Sequence, residues 1–304
     1  MRLDSTQLQQ APSSNDICAI VVTYHPGEGF LERLHSIKQQ VGKVVIVDNH
    51  SSETWVKKFR PIADQLDIHF IENMNNLGIA TALNQGVQYA IKCRYTWALT
   101  LDQDSLVEPN LVDILISAYL DCPFKEYVGI IGTTIEEVTS GSITKRLNDA
   151  NNSSWLEVDE VITSGSLMPI NVYNIVGPFR DDLFIDLVDF EYCLRLRACG
   201  YRIIRTLEVG LRQYFGTLIT KTVMNTNILV RDYDPLRSYY RTRNGLLLIR
   251  EYFWKDVIWS LRRFFKLCLR LVSTVVFEDN KIQKLKYTFI GIYHAVISKT
   301  GKIS

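Results

Sequence analysis

The sequence predicts an α/β fold built on a doubly wound sheet, and three observations carry that prediction. Short continuous runs of apolar, mostly β-branched residues recur at 17–24, 44–47, 68–71, 96–101 and 128–131. A segment with helical periodicity separates most runs from the next. Two runs lead straight into an aspartate, Asp48 and Asp102. Continuous rather than alternating apolarity suits strands buried on both faces of a parallel sheet. Strand–helix alternation with short connections gives the doubly wound order. Ligands in such sheets sit beyond the carboxyl ends of the strands, where both aspartates fall.

Taken in order, the run ICAIVVTY opens the sheet. Gly27 and Gly29 mark a loop, and 30–40 reads as a helix with Leu31, Leu34 and Ile37 on one face. VVIV at 44–47 is a second strand, followed by a helix over about 53–66 and a third strand at 68–71. Residues 78–91 have helical periodicity, and TWALTL at 96–101 is a fourth strand. A helix fits 110–119 after Pro109, a favoured early helical residue. Residues 128–131 form a fifth strand, and 133–165 read as shorter strands and loops. A helix at 189–199 stops at Gly200. There is no internal repeat.

Composition bounds the class. The 304 residues are 47% hydrophobic and 22% charged, which excludes a collagenous, low-complexity or disordered chain and is ample for a buried core. Six cysteines show no CxxC and no zinc spacing with histidine, so the thiols read as reduced and the compartment as cytosolic. Residues 1–16 form a polar tail without the apolar core of a signal peptide. No uncharged apolar stretch reaches the length of a spanning helix. The N-x-S triplets at Asn151 and Asn152 carry no weight in a cytosolic chain.

The net charge of +1 hides an asymmetry. Residues 235–304 hold 14 Lys+Arg against 4 Asp+Glu, a charge of +10, and the body before them carries −9. The expected organisation is therefore a tail at 1–16, a catalytic body at 17–234 and a basic helical region at 235–304. Over 246–277, Trp254, Val257, Leu261, Phe264, Cys268, Leu271 and Val275 recur in steps of three and four, forming one apolar stripe. Lys255, Arg262, Arg263, Lys266 and Arg270 fall on the opposite side, and Lys281, Lys284 and Lys286 extend the pattern. Such a helix suits a membrane interface beside anionic lipids; the alternative is a helix packed on the body with a solvated basic face. Nucleic acid is not the expected partner, because no recognition motif accompanies the charge.

Asp102-Gln103-Asp104 follows the fourth strand. Alternation in an extended segment puts both carboxylates on one side, where they repel each other and can hold a hard divalent cation that bridges phosphates. The alternative is a solvated acidic loop. A dinucleotide fingerprint beginning at Gly27-x-Gly29 fails, because Glu32 stands at its third glycine and His25-Pro26 where the tight turn should begin. No GxxxxGK[ST] loop occurs.

The motifs, in order, resemble the family 2 glycosyltransferases, which carry the GT-A fold. They are IVVTYHP at 20–26, VVIVDNHSS at 44–52, NNLGIATALNQG at 75–86 and LTLDQDS at 99–105. ITSGSLMPINVYNIVGPF at 162–179 and LFIDLVDFEYCLRLRACGYRI at 183–203, with DPLRSYYRTRN at 234–244, resemble the rhamnosyltransferase branch that builds bacterial surface polysaccharides such as O-antigen. The resemblance implies that Thr23, Tyr24 and Asp48 line the nucleotide pocket, Asp48 accepting from the imide N–H of uracil or thymine. The other reading of Asp48 is an Asx turn with Asn49 and Ser51. Asn76, Gly78 and Asn84 belong to the same implied nucleotide site, Asn84 either bonding the donor or capping its own helix. Asp102 contacts the ribose or a metal water, and Asp104 binds Mg²⁺ or Mn²⁺. Ser164, Gly165, Ser166 and Asp186 lie near the donor sugar or acceptor, Ser164-Gly165-Ser166 being otherwise a plain turn.

By the same resemblance Asp189 is the base that deprotonates the acceptor hydroxyl. Its place in the first turn of a helix favours the ionised form that a base requires; a helix N-cap is the other reading. Asp186 and Glu191 are fallbacks, Glu191 reading as a supporting or surface charge. Val188 replaces the usual Glu, as in the rhamnosyltransferase branch. Gln213 stands where related sequences place a metal-binding His, in the segment 211–216, and its carbonyl is a weaker metal ligand. The expected reaction is inverting transfer of L-rhamnose from dTDP-L-rhamnose to a glycan on a polyprenyl diphosphate, by a hexosyltransferase bound peripherally to the inner face of the cytoplasmic membrane. Alternatives are another donor (UDP-galactofuranose or UDP-glucose) and a catalytically silent scaffold. A nucleotidyltransferase lacks its Gly-rich basic loop after the first strand.

Overall fold

The computed structural model describes residues 11–138, 153–213, 217–223 and 226–303. Most of the polar tail, the asparagines of both N-x-S triplets and the end of the 211–216 segment lie outside them; the tail's last residues, Ser14–Asp16, make a single 3-10 turn. The chain groups into two compact units, one drawn from Met1–Phe179 with Tyr192–Tyr214 and one from Arg180–Glu191 with Phe215–Ser304.

The first unit is a nine-stranded mixed sheet with helices around it. Strands β1 (Ile17–Thr23), β2 (Lys43–Asp48), β3 (His69–Glu72) and β4 (Trp97–Asp102) are parallel, in the order β3-β2-β1-β4. They alternate with α1 (Phe30–Lys38), α2 (Glu53–Gln65) and α3 (Ile79–Lys92). The continuous apolar runs behave as predicted: β1 is buried along its whole length, and so is β2 after Lys43. Helix α1 buries Phe30, Leu34 and Ile37, whereas Leu31 is exposed, so the inward face is turned from the expected one.

The sheet then leaves the parallel pattern. After β5 (Leu106–Val107) and α4 (Leu111–Asp121), β6 (Val128–Glu137) runs well past the predicted end at 131. Strands β7 (Trp155–Glu157) and β8 (Ser166–Pro169) follow, then α5 (Ile170–Val176), α6 (Val188–Ala198) and β9 (Arg202–Gln213). Strand β8 is antiparallel to β4 and β6, and β9 pairs parallel with β6 and antiparallel with β5 and β7. Helix α6 ends as its Gly predicts: Gly200 has φ +86°, its N–H meets Arg197 O, and Tyr201 N–H meets Leu196 O.

The second unit holds an antiparallel hairpin, β10 (Thr217–Val223) with β11 (Thr226–Asp232), and three helices, α7 (Pro235–Tyr252), α8 (Val257–Val276) and α9 (Lys281–Val296). Its centre is Phe184, Tyr239 and Tyr240, with Ile185, Tyr287, Ile290 and Ile303 against them. Gly291 lets α9 approach α7, because a Cβ there would stand 2.8 Å from Tyr239 O.

The expected single helix over 246–277 is two helices. The break falls at 253–256, where Asp256 accepts the Trp259 N–H at 3.0 Å and caps α8. Trp254 lies in the break and is 88% exposed. The sides of α8 are also reversed from the packed-helix expectation. Its buried residues are Trp259, Ser260, Arg263 and Thr274. Arg263, placed on a solvated basic face by its spacing, is covered and stands 5.3 Å over the Phe190 ring. The stripe Val257, Leu261, Phe264, Cys268, Leu271 and Val275 faces outward, joined by Ile258, Phe265, Leu269 and Val272. Among the described residues no helix is long and apolar enough to cross a membrane.

Candidate active site

In the first unit β1, β2 and β4 end side by side, Thr23 in register with Asp48 and Val22 with Asp102. Asp48 does not present its carboxylate outward. It is 0% exposed; Oδ1 accepts the Thr23 hydroxyl at 2.7 Å and the Ser51 hydroxyl at 2.5 Å, and Oδ2 accepts the Ser51 N–H at 2.8 Å. The carboxylate therefore organises the turn after β2, and an imide N–H could reach it only by displacing the protein that covers it. Tyr24, in contrast, is 47% exposed, with its ring edge-on to His25 at 4.4 Å, and offers an open aromatic surface beside the strand ends.

Asn49, next to Asp48, is a hub. Its Nδ2 donates to Asn76 Oδ1 and Gly78 O, and its Oδ1 accepts from Asn73 Nδ2 and Leu77 N. Gly78 has φ +90° and ψ 163°, a region open essentially to glycine, and its N–H closes back on Asn76 Oδ1 at 3.0 Å. Asn84 bonds across to the segment after α5. Its Nδ2 donates to Phe179 O at 2.8 Å and its Oδ1 accepts from Phe179 N and the Tyr173 hydroxyl, so it ties α3 to the end of the α5 segment.

The paired carboxylates do converge, but through a turn rather than strand alternation. Asp102 ends β4, and Ser105 N–H bonds back to Asp102 O. Gln213 Nε2, from the end of β9, donates to Asp102 Oδ2 at 3.0 Å and Asp104 Oδ1 at 3.4 Å. The middle residue, Gln103, holds the turn against β1: its side chain accepts from Tyr24 N at 2.7 Å and donates to Tyr24 O at 3.1 Å. Arg33 of α1 adds a bond from Nε to Gln103 O at 3.0 Å.

Ser164, Gly165 and Ser166 are buried and carry this turn from behind. Ser164 Oγ pairs with Ser105 Oγ at 2.6 Å and accepts the Asp102 N–H; Ser166 Oγ donates to Ile162 O. A Cβ on Gly165 would meet Thr133 Cγ2 at 2.6 Å.

Gln213 Oε1 is buried without a hydrogen-bond partner. The amide presents N–H to two anions; turned over, it would present an oxygen beside them, and amide orientation follows the surrounding network. Two carboxylates and an amide oxygen form a hard, all-oxygen donor set of the kind Mg²⁺ or Mn²⁺ takes, so the residues present fit such an ion. Among the described residues no group of three His, Cys, Asp or Glu side chains is arranged to hold one.

In the second unit the loop before α6 is strained. Phe184 (φ 65°, ψ −64°), Asp186 (φ 64°) and Leu187 (φ 68°) all have positive φ, and Ile185 N–H bonds Leu183 O across a γ-turn. Two adjacent, fully buried residues of α7 hold it. Asn244 Nδ2 donates to the carbonyls of Leu183, Ile185 and Asp186 at 2.8–3.0 Å. Arg243 donates to Leu183 O and Gly301 O. Burial alone would raise the Asp182 carboxyl, but hydrogen bonds and charge from Arg180 hold it below the usual range.

Asp186 is not open as a base or sugar contact, because Arg237 binds it at 2.8 Å and Arg241 stands at 3.6 Å. Glu191 is not a surface charge: it is buried and accepts the Tyr252 hydroxyl at 3.1 Å. Asp189, half-buried in the first turn of α6, follows Val188 inside the helix and so is not its N-cap; its Oδ1 accepts the Phe190 N–H.

A family model described as glycosyl transferase family 2 matches residues 18–171. The chain belongs to glycosyl transferase family 2. Over 297 residues it is 26% identical to a dTDP-rhamnosyl transferase, RfbF, of Shigella flexneri, covering 95% of this chain and 98% of that one. A poly-β-1,6-N-acetyl-D-glucosamine synthase of Staphylococcus aureus matches over 96 residues at 26% identity, 32% of this chain and 23% of that one. S. aureus TarS 1–349 in complex with UDP-GlcNAc superposes with a TM-score of 0.59 at 14% identity, covering 92% of this chain and 81% of that one. GalNAc-T7 with UDP, GalNAc and Mn²⁺ superposes at 0.54 and 13% identity, covering 66% of this chain and 43% of that one. The fold of this family 2 glycosyltransferase is GT-A.

Gln103, Arg33, Arg243 and Asn244 were assigned no role in the sequence. The one available signal for the last two was an adjacent Arg-Asn pair inside a helix whose following positions are apolar. Replacing Asn244 by Ala leaves carbonyls of a strained loop without their donor and is expected to destabilise the protein by about 2 kcal/mol. Urea unfolding measures this, and an unchanged midpoint would show that the loop holds without Asn244.

Proposed function

We propose that this glycosyltransferase moves L-rhamnose from dTDP-L-rhamnose onto a hydroxyl of a growing lipid-linked surface glycan, with inversion at C1. The observation that carries this reading is the end-to-end similarity to a dTDP-rhamnosyl transferase. The donor would lie over the strand ends, with the base against Tyr24 and the ribose near Thr23 and the turn that Asp48, Asn49, Asn76 and Gly78 fix. Asp104 and Asp102, with Gln213 turned to present its oxygen, would hold Mg²⁺ or Mn²⁺. That ion, when bound, supplies positive charge against the leaving diphosphate. Asp189 takes the proton of the acceptor hydroxyl as its oxygen bonds to C1. The C1–O bond to the diphosphate breaks, and dTDP leaves with the electron pair.

Asp189→Asn keeps shape and removes the proton acceptor. It is expected to lower kcat by at least about 100-fold, the usual weight of a general base, while dTDP-L-rhamnose binding stays nearly unchanged. Steady-state transfer kinetics and donor calorimetry measure the two, and wild-type turnover in the variant would remove Asp189 from the mechanism. A panel including UDP-galactofuranose and UDP-glucose in the same calorimetry tests the donor.

We further infer that the outward apolar face of α8 meets the cytoplasmic membrane surface. The region carrying it has a charge of +10, complementary to anionic lipids. Ile258, Phe265 and Leu269 stand on that face and Arg262 and Lys266 are exposed between them. A variant with Ile258, Phe265 and Leu269 replaced by Asp is expected to lose flotation with anionic liposomes while remaining folded. Undiminished flotation, or a dimer of the wild type that the variant dissolves, would overturn the membrane reading.

A further inference from the structure

One side chain joins the aromatic surface beside the strand ends to the turn that bears the paired carboxylates. Tyr24 lies one residue past β1, and His25 turns the chain away with φ 49°. The N–H and C=O of Tyr24 therefore fall beyond the β1–β2 ladder, whose last pair is Thr23 with Asp48. Gln103 takes both: its Oε1 accepts the N–H at 2.7 Å and its Nε2 donates to the oxygen at 3.1 Å. Hydrogen bonds weaken steeply as they bend, so two of them to one residue fix its rotation as well as its distance. A single bond would be a pivot.

The far end of the same loop is held by α1. Arg33 reaches Glu28 O with Nη2 at 3.1 Å and Gln103 O with Nε at 3.0 Å. Ser36 Oγ donates to Val107 O, and Gln40 Nε2, just past the helix, donates to Glu108 O, each at 2.9 Å. Positions 33, 36 and 40 recur in steps of three and four, so one helix face supplies three rungs to the segment after β4. The loop over 24–29 is thus fixed to that segment at both ends. Three rungs serve the end at α1, whereas Gln103 alone serves the end that carries Tyr24.

We propose that Gln103 is a positioning residue that couples a divalent cation on the turn to the nucleoside end of the donor. This rests on the reading that places the base against Tyr24 and the ion at Asp102 and Asp104, and it adds that the two bind cooperatively. An ion on the carboxylates orders the turn, and a base on Tyr24 orders the loop. Joined through Gln103, turn and loop share that ordering, so the ligand that binds first leaves less for the second. The coupling is positive and, by linkage, equal in both directions.

The test measures Mn²⁺ binding to the full chain, by electron paramagnetic resonance of the free ion, with and without saturating thymidine. Thymidine has no phosphate to offer the ion, so any response of Mn²⁺ to it passes through the protein. In wild type, thymidine is expected to tighten Mn²⁺ binding at least about fivefold, the lower end of ordinary coupling between sites. Gln103→Met keeps the length of the side chain and removes both bonds to Tyr24, and the response is expected to fall below about twofold. Arg33→Met removes one of three rungs and is expected to keep the wild-type response. A response undiminished in Gln103→Met, or lost equally in Arg33→Met, would overturn the assignment to Gln103. Thymidine that binds in calorimetry while leaving Mn²⁺ affinity unmoved would overturn the coupling and leave the donor reading standing. Failure of thymidine or Mn²⁺ to bind wild type would overturn the coupling through the site it needs, and failure of dTDP-L-rhamnose as well would count against the donor reading itself.

Discussion

One amide nitrogen, Nε2 of Gln213, stands within reach of both carboxylates in the turn after β4. Two anions that close repel, and something positive or hydrogen-donating has to lie between them. The surrounding structure serves that arrangement. The parallel half of the sheet delivers Asp102 to the edge where ligands bind, and β9 delivers Gln213 from the far side of the mixed half. Gln103 fixes the turn to β1, and Ser105 with Ser164 closes it from behind. An amide can serve either occupant of the gap, by donating to bare carboxylates or by accepting a cation between them.

The second unit answers a different constraint. Its loop before α6 spends three residues at positive φ, each costing of order 1–3 kcal/mol, and such strain persists only where neighbours over-determine it. Arg243 and Asn244 do so from the interior of α7. The loop in turn carries Asp186 to its arginines and leads into the helix turn bearing Asp189. Helix α8 covers this framework with its polar and arginine-bearing side and leaves its apolar side outward, the reverse of an ordinary packed surface helix.

Much of the first unit was legible in the sequence because buried parallel strands leave continuous apolar runs, and β1, β2 and β4 lie where those runs predict. The aspartate pair was legible for the same reason, being placed by the strand before it. The turn that Ser51 closes on Asp48 was legible as an Asx turn; what was not legible is Thr23, whose hydroxyl reaches Asp48 Oδ1 through the register of β1 with β2. The bonds of Asn84 to Phe179 were not legible because the two residues lie 95 positions apart. Periodicity found the stripe on α8 but says nothing of which side is covered, since core and surface stripes have the same period. The helix break was readable in principle, as Asp256 precedes a new apolar run in the way an N-cap does.

The central claim is that the turn after β4 holds a sugar nucleotide through a divalent cation, and calorimetric titration of dTDP-L-rhamnose tests it most directly. The account predicts binding in Mn²⁺, its loss in EDTA, and its loss in Asp102→Asn/Asp104→Asn even with Mn²⁺ present. Equal affinity with and without the cation, or undiminished binding by the double variant, would contradict it.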